Sequence, residues 1–382
     1  MERLIKEDLV GLVQSVFPRF PADRSLAVLV DIPRRTASDN DDWKKRRQLA
    51  EEWAGLLNEG ADLIPMETVS LVAYPDVGSN NADLPPSVFV MSGPLPETAD
   101  GLSTWGLEIP LTALFETYQV FLAPTEFSTT APLKNAAVQF GFRAATMPGF
   151  SEKMIPALKL DYAEVSRRVD IIKEKIERAE AADLHFLVDG ALEYTMRFDL
   201  RHNPAHTSSG RFPQKGTAGN LPSGETYIVP FEGRPGDPSR TKGTLPVEIK
   251  GEVVLYMVME NKAVAVDDDG PQGHLEAEHL TREPAYGNMA ELGFGVLNDF
   301  GLRPIGELLL DEKLGVHVAF GRSDHFGGQV GPQDFSSPQE VIHLDRIYIQ
   351  ATQPRISLDS VVLGHEKNLK ETIYEKGRYL VF

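Results

Sequence analysis

The sequence contains no cysteine among its 382 residues. This absence excludes disulfide bonds, thiolate nucleophiles, cysteine zinc sites and iron–sulfur clusters. Positive charge is also scarce, because 38 Lys and Arg residues stand against 56 Asp and Glu residues, for a formal net charge of −18. A protein this acidic repels the phosphate backbone of nucleic acids and anionic membrane surfaces, so we expect neither as a partner.

Long apolar runs and the common short catalytic motifs are missing as well. The longest strongly apolar run, Val253–Met259, is too short to span a bilayer. The first residues alternate apolar and charged side chains at helical spacing, unlike a signal peptide, so we expect a cytoplasmic protein. G-x-S-x-G, Walker, G-x-G-x-x-G and H-E-x-x-H patterns are all absent, which disfavours the enzyme classes that they mark.

The remaining composition is that of a globular α/β protein. Hydrophobic residues make up 42% and charged residues 25% of the chain, enough for a sizeable core. In the N-terminal part, strand-like segments such as Ser25–Ile32 alternate with helical ones, such as a helix that begins after Asn40 and ends near Asn58. This alternation predicts a layered α/β domain with a largely parallel sheet.

A long amphipathic helix is predicted to begin at Tyr162, with Asp161 as its cap, and to end near residue 181. The pattern of strand-like and helix-like segments changes after it. We therefore predict two α/β domains, 1–160 and 161–382. Within the second, a stretch rich in Gly, Pro, Ser and Thr from 202 to 243 favours a loop that builds a site. The sequence Asp267–Gly270 predicts a turn.

Four segments place carboxylates or imidazoles beside glycine or strand-like apolar residues: Gly219–Glu225, Gly287–Gly295, Asp311–Gly321 and Val341–Ile347. We expect Glu225 and Glu291 in glycine-rich turns, where backbone can approach a ligand closely. His317 is expected on an otherwise apolar strand. His343 and Asp345 are two residues apart on another strand, so their side chains point to the same face.

Each of these polar residues taken singly could be a hydrogen-bonded core group. Together they form a mixed nitrogen and oxygen set that suits zinc, cobalt, manganese or iron(II). Several carboxylates buried without a cation would lose their hydration at a high cost in free energy. The combination therefore favours a metal site.

The order of these motifs resembles the aminopeptidase S and thermophilic aminopeptidase T family of metallopeptidases. The similarity covers about 140 residues and includes A-E-L-G at 290–293, D-E-K at 311–313, H-x-A-x-G at 317–321 and I-H-x-D at 342–345. The resemblance implies two-domain α/β subunits of the thermophilic-metalloprotease type that form a homodimer and act on small molecules or short peptides. It also implies two divalent metals, zinc, cobalt or manganese, near the domain junction. Carried over residue by residue, it implies the ligands Glu225, Glu291, His317, His343 and Asp345.

One position departs from that family's pattern. The family has a tyrosine seven residues after the strand histidine, where this chain has Asp324, followed by His325. Asp324 or His325 could serve as an additional ligand or proton-transfer group. The alternative is an ordinary loop turn over Arg322–His325, and both interpretations stay open.

The N-terminal half resembles a related group, the non-haem iron dioxygenases that open 2,5-dihydroxypyridine. The similar stretches are Ala123–Phe127, Thr146–Gly149 and the long helix that leads into Asp183–Leu187. This resemblance implies one iron(II) held by two histidines and one aspartate, with a histidine at the position of Glu291. Because this chain has glutamate there, the two-metal set is favoured.

Three functions compete on these observations. The favoured one is a metal-dependent hydrolase of aminopeptidase type, in which Glu225 or Glu291 bridges two metals or moves a proton. The second is a ring-cleaving dioxygenase with one iron(II) held by His317, His343, Asp345 and a glutamate. The third is a non-catalytic relative that keeps ligand-like residues in a binding or assembly role.

Overall fold

The computed structural model describes residues 3–64, 66–267 and 270–382. Contacts group the chain into two compact units, Met1–Ser166 with Ser208–Ser223, and Arg167–Thr207 with Gly224–Phe382. The predicted domains 1–160 and 161–382 stay a prediction. The predicted turn at Asp267–Gly270 has its two central residues outside the described part of the chain.

Helices and strands alternate in the first part of the chain, and strands predominate later. The described helices are α1 Lys6–Val16, α2 Asp41–Glu59, α3 Leu102–Trp105, α4 Leu111–Thr117, α5 Thr130–Phe140, α6 Ile155–Leu158, α7 Tyr162–Glu177, α8 Pro271–Arg282 and α9 Leu308–Asp311. The described strands are β1 Ser25–Ile32, β2 Thr68–Pro75, β3 Ser87–Met91, β4 Gly106–Pro110, β5 Val120–Ala123, β6 Arg143–Thr146, β7 Ala181–Val188, β8 Leu192–Asp199, β9 His206–Ser208, β10 Thr217–Asn220, β11 Glu225–Ile228, β12 Lys242–Ile249, β13 Glu252–Met259, β14 Lys262–Asp267, β15 Met289–Gly295, β16 Val316–Gly321, β17 His343–Ile347, β18 Ile356–Gly364, β19 Lys370–Glu375 and β20 Arg378–Tyr379.

The first unit is built on a seven-stranded sheet with the order β10-β6-β5-β1-β2-β3-β4. Strands β10, β6, β5, β1 and β2 run parallel, and β3 and β4 are antiparallel to their neighbours. Every residue of β1 is buried, as its continuous apolar sequence predicts for a central parallel strand. The predicted α/β layering with a largely parallel sheet is confirmed here.

Local sequence signals set the ends of two helices in the predicted way. The Asn40 side chain accepts a hydrogen bond from the Trp43 backbone N–H at 2.8 Å and so caps α2. The Asp161 side chain accepts one from the Ala163 N–H at 2.9 Å at the start of α7. Each bond satisfies a backbone donor that the helix itself leaves unpaired.

Asp31 is a fully buried carboxylate near the end of β1. It accepts hydrogen bonds from the backbone N–H groups of Glu126 and Phe127 and from the Trp43 indole, at 2.9 to 3.1 Å. Burial nevertheless dominates and raises the pKa of Asp31 to about 6. Ionisation of the Asp31 carboxyl group therefore costs more free energy in the folded chain than in the unfolded chain.

We expect the free energy of unfolding to fall as the pH rises through the interval between the ordinary Asp pKa, 3.8, and the folded pKa of about 6. Relative to Asp31→Asn, the wild type should lose about 3 kcal/mol over this interval, because the folded chain binds the extra proton. Urea unfolding at a series of pH values measures the difference. The exposed Asp62→Asn variant is the control, and equal pH slopes for wild type and Asp31→Asn would contradict the prediction.

Two further sheets are formed mainly by residues of the second unit. The larger sheet is antiparallel, and in the smaller one β17, β16, β15 and β11 pair antiparallel. One sheet of eight strands has the order β14-β13-β12-β8-β7-β18-β19-β20, and a five-stranded sheet has the order β17-β16-β15-β11-β9. Mixed α/β structure with several sheets is thus confirmed across the described residues. In the same residues, no helix combines the length and the apolar character needed to cross a membrane.

Candidate metal centre

The five-stranded sheet gathers all five predicted ligands on one face. Cross-strand partners share a face of an antiparallel sheet, and successive residues of a strand point to opposite faces. The following cross-strand partners all lie on this face: Glu225 with Gly295, Tyr227 with Gly293, Gly293 with His317, Glu291 with Ala319, Ala319 with Asp345, and Gly321 with His343. The intervening residues are apolar and buried for the most part, with Leu292, Phe294, Val316, Val318 and Phe320 fully covered. The polar face is therefore supported by a packed core behind it.

This arrangement corrects one sequence-based expectation. Glu225 and Glu291 lie in strands β11 and β15, rather than in glycine-rich turns. Gly293 of β15 makes room for a side chain of the neighbouring strand, because a Cβ on Gly293 would overlap the Nε2 atom of His317. The glycine therefore provides the space that the imidazole occupies.

We expect Gly293→Ala to displace His317 and to lower the affinity for a divalent metal by roughly 10²-fold, since a ligand moves while none is removed. Titration of metal-free protein with Zn²⁺ or Mn²⁺ measures this. Gly55→Ala is the matched control, because a Cβ at Gly55 has no atom within 4 Å. Wild-type metal affinity in Gly293→Ala would show that the imidazole position is unimportant.

The ligand atoms form two groups that share one residue. Glu225, Glu291 and His317 make the first group, and Glu291, His343 and Asp345 make the second, with all ligand atoms of a group within 4.8 Å of one another. One Glu291 oxygen lies 3.3 Å from His317 Nε2, and the other lies 3.3 Å from His343 Nε2. Glu291 is therefore placed to join two cation positions.

Both imidazoles are oriented by a backbone carbonyl. His317 Nδ1 lies 3.2 Å from the Gly315 oxygen, and His343 Nδ1 lies 2.8 Å from the Arg322 oxygen. A carbonyl oxygen only accepts, so each Nδ1 donates its hydrogen. The neutral form of each ring then directs the Nε2 lone pair at the carboxylates, which is the usual arrangement of a metal-binding histidine.

The electrostatics show that this cluster attracts positive charge. Glu225, Glu291 and His317 are 5%, 4% and 1% exposed. Burial alone would lower the pKa of the His317 and His343 imidazoles, but the hydrogen-bonded Glu291 carboxylate outweighs burial and raises their pKa values to about 10 and about 9. Burial raises the pKa of Glu225 to about 7. Without a metal, protons on the imidazoles neutralise the carboxylates.

One atom of the cluster has no partner. The Oε2 atom of Glu225 is buried and has no hydrogen-bond donor among the described residues. It lies 3.7 Å from His317 Nε2. An unpaired carboxylate oxygen is costly to bury, and a cation bound by the first group would satisfy it. The donor set and this orphaned oxygen both fit a divalent metal.

Asp324 and His325, the other predicted site residues, lie on the 3-10 turn Asp324–Phe326 that follows β16. Asp324 is paired with the Arg322 guanidinium at 2.5 Å and belongs to neither ligand group. The ring of His325 lies 5.0 Å from that of His343, edge to face. Burial, together with the nearby charge of His343, lowers the pKa of His325 to about 4, so its ring is neutral.

The sequence analysis did not identify two residues that lie beside the candidate metal centre or its loops, Tyr227 and Glu232. Tyr227 follows Glu225 by two positions on β11, and its partly buried ring packs against Phe326 at 4.8 Å. Glu232 accepts hydrogen bonds from Ser323 and Asn288 and so holds the loop after β16. The strand spacing that linked His343 to Asp345 also links Glu225 to Tyr227, but assigning Glu225 to a turn concealed it.

Comparison with known proteins gives relatives in structure only. No model of a protein family matches the chain, and no curated protein matches its sequence. The solved structure of 2,5-dihydroxypyridine dioxygenase from Pseudomonas putida KT2440 is 13% identical, with 99% of this chain and 97% of that chain covered and a TM-score of 0.59. Wild-type AmpT from Thermus thermophilus is 14% identical, with 98% of this chain and 99% of that chain covered and a TM-score of 0.55. The chain thus shares the fold of these two proteins over nearly its whole length.

Proposed function

We propose that this chain is a metal-dependent hydrolase of aminopeptidase type that acts on short peptides. The observation that carries the proposal is the position of Glu291, whose two oxygens each face a different imidazole. Glu225 and His317 would complete one ion's ligands, and His343 and Asp345 those of the other. A pair of divalent ions supplies Lewis acidity and lowers the pKa of a bound water, which suits amide hydrolysis.

The chain's own groups have defined tasks in this proposal. Glu291 holds the two halves of the centre together. The backbone carbonyls of Gly315 and Arg322 keep the imidazoles turned toward the carboxylates. The hydroxyl of Tyr227, on the same face of the sheet, has no hydrogen-bond partner among the described residues and is free to donate to a substrate oxygen.

We expect Tyr227→Phe to lower kcat/KM for peptide hydrolysis by roughly 10²-fold, because one hydrogen bond to the substrate oxygen is lost. The metal content should stay unchanged, since Tyr227 is not a ligand. Steady-state kinetics with metal analysis of the same samples test this. Tyr194→Phe, which alters a partly buried tyrosine on β8, is the control. Full activity in Tyr227→Phe would remove the tyrosine from the mechanism.

A mononuclear iron(II) dioxygenase is the second candidate. Two imidazoles and an aspartate, His317, His343 and Asp345, lie on the neighbouring strands β16 and β17, and two histidines with one carboxylate are a usual iron(II) set. The fold likeness to a dihydroxypyridine dioxygenase adds support. Glu225 and Glu291 weigh against it, because two further buried carboxylates exceed what one iron(II) ion needs.

Metal analysis decides between these functions. The protein is purified under nitrogen without chelator or tag-derived metal, and its metals are counted per chain. Two zinc, cobalt or manganese ions with release of amino acids from short peptides would support the hydrolase. One iron with oxygen uptake on a dihydroxylated ring would replace it with the dioxygenase. A folded protein that binds no metal would indicate the non-catalytic role.

The proposal also includes a homodimer, which sedimentation equilibrium would test. A monomer at micromolar concentration would remove this part alone.

A further inference from the structure

A buried lysine adjoins the ligand cluster. The Lys313 side chain is 3% exposed, and its Nζ atom donates to Glu225 Oε1 at 2.5 Å. The same ammonium group contacts the Glu312 carboxylate. A lysine is rarely buried this fully, because its charge loses hydration, and it persists only where carboxylates replace the water.

The backbone is shaped to bring Lys313 to this position. Lys313 lies in the 3-10 turn Glu312–Leu314, directly before Gly315 and β16. A Cβ on Gly295 would overlap the Lys313 carbonyl group, so only glycine permits this close approach. Gly295 is the cross-strand partner of Glu225. The turn that bears Lys313 therefore passes beside the very pair of residues that holds Glu225.

Lys313 contacts only one of the two carboxylate oxygens of Glu225, so the two oxygens have different surroundings. Oε1 accepts from Lys313, and Oε2 remains buried without a donor beside His317. We propose that Lys313 is a permanent counter-cation of the centre, which holds Glu225 in place before metal arrives and reserves Oε2 for the metal. Lys313 is thus a positioning residue, and Glu225 is a one-oxygen ligand. The inference rests on the proposed metal binding, but not on the reaction that follows.

The counter-cation role of Lys313 differs from that of an ordinary structural ion pair in its effect on the affinity for metal. A structural pair would change the stability of the chain and leave its affinity for metal unchanged. A counter-cation competes with the metal for the same carboxylate charge. Removing the lysine should therefore weaken the metal-free protein and strengthen the binding of one ion.

The test uses Lys313→Met in the full chain, stripped with a chelator. We expect its thermal midpoint to fall by roughly 10 °C, because breaking a buried pair leaves carboxylates uncompensated. Mn²⁺ or Zn²⁺ should raise that midpoint more than it does in the wild type, and calorimetric titration should show one ion bound about tenfold more tightly. Lys313→Arg should keep wild-type stability without metal, and Lys370→Met, at an exposed lysine, is the control.

A double variant keeps the test decisive if Lys313→Met folds poorly. Adding Glu225→Gln removes the unpaired carboxylate, so the double variant should regain much of the lost thermal stability. Failure of this rescue, or an unchanged or weaker metal affinity in a folded Lys313→Met, would overturn the inference. A wild type that binds no divalent metal would instead overturn the proposed function, and with it the reservation of Oε2. The two failures are therefore distinguishable.

Discussion

Glu291→Gln is expected to release both metal ions and to lower peptide hydrolysis by roughly 10³-fold or more, because both ligand groups lose the residue that they share. The substitution keeps the size of the side chain and removes its charge. The neutral amide can offer one oxygen to one imidazole only, and its NH₂ group would face the other. No other side chain of the cluster contacts both His317 and His343 through separate oxygens.

Metal content per chain and kcat/KM, measured on the same preparation, test this expectation. The control is Glu278→Gln, which alters an exposed glutamate of α8. Circular dichroism should show that the fold persists, because the apolar face of β15 is unchanged. Retention of both ions by Glu291→Gln would show that Glu291 does not join the two positions, and the two-metal assignment would fail.

Asp345→Asn is expected to release one ion and to retain the other. Asp345 belongs to the second ligand group alone, and its Oδ1 atom lies 3.8 Å from His343 Nε2. The first group, Glu225 with Glu291 and His317, stays complete. Hydrolysis should fall by roughly 10²-fold or more, because without Asp345 the second group would no longer hold its ion, and half of the Lewis acidity proposed for the centre would be lost.

The complementary variant is Glu225→Gln, which weakens the first group and leaves the second complete. Competition with a chromophoric chelator should therefore give one strong site in each variant. Occupancy by two ions in both variants, or by none in either, would contradict the division into two groups. The Asp345 variant is the cleaner of the two, since Glu225→Gln also leaves Lys313 without one partner.

The structure explains why Glu291 is followed by glycine at every second position of β15, at Gly293 and Gly295. Glu291 projects toward the imidazoles, while Gly293 and Gly295 leave room for His317 and for the backbone of Lys313. A side chain at either glycine would overlap atoms of His317 or of the Lys313 backbone. The same strand places Leu292 and Phe294 in the core, so that one short segment supplies both the packed support and the candidate ligand Glu291.

The elements that local patterns specify were predictable. The helix α2, its Asn40 cap, the buried strand β1 and the parallel sheet follow from apolar periodicity and capping chemistry, which act between residues close in sequence. His343 and Asp345 share a face for the same local reason. The assignment of Glu225 and Glu291 to turns was wrong, because a glycine-rich strand resembles a turn when the neighbouring residues that need the space are not known.

The sequence by itself determined the types of the candidate donors: three carboxylates and two imidazoles, with no thiol, in a chain of net charge −18. Only the tertiary structure decided how these donors are shared. The register of β11, β15, β16 and β17 brings residues more than 100 positions apart onto one face, and it alone places Glu291 between two imidazoles. The same register places Tyr227 on the face of the cluster, and the turn before β16 brings Lys313 to Glu225. Register depends on pairing between distant strands, and no periodicity within a single strand encodes it.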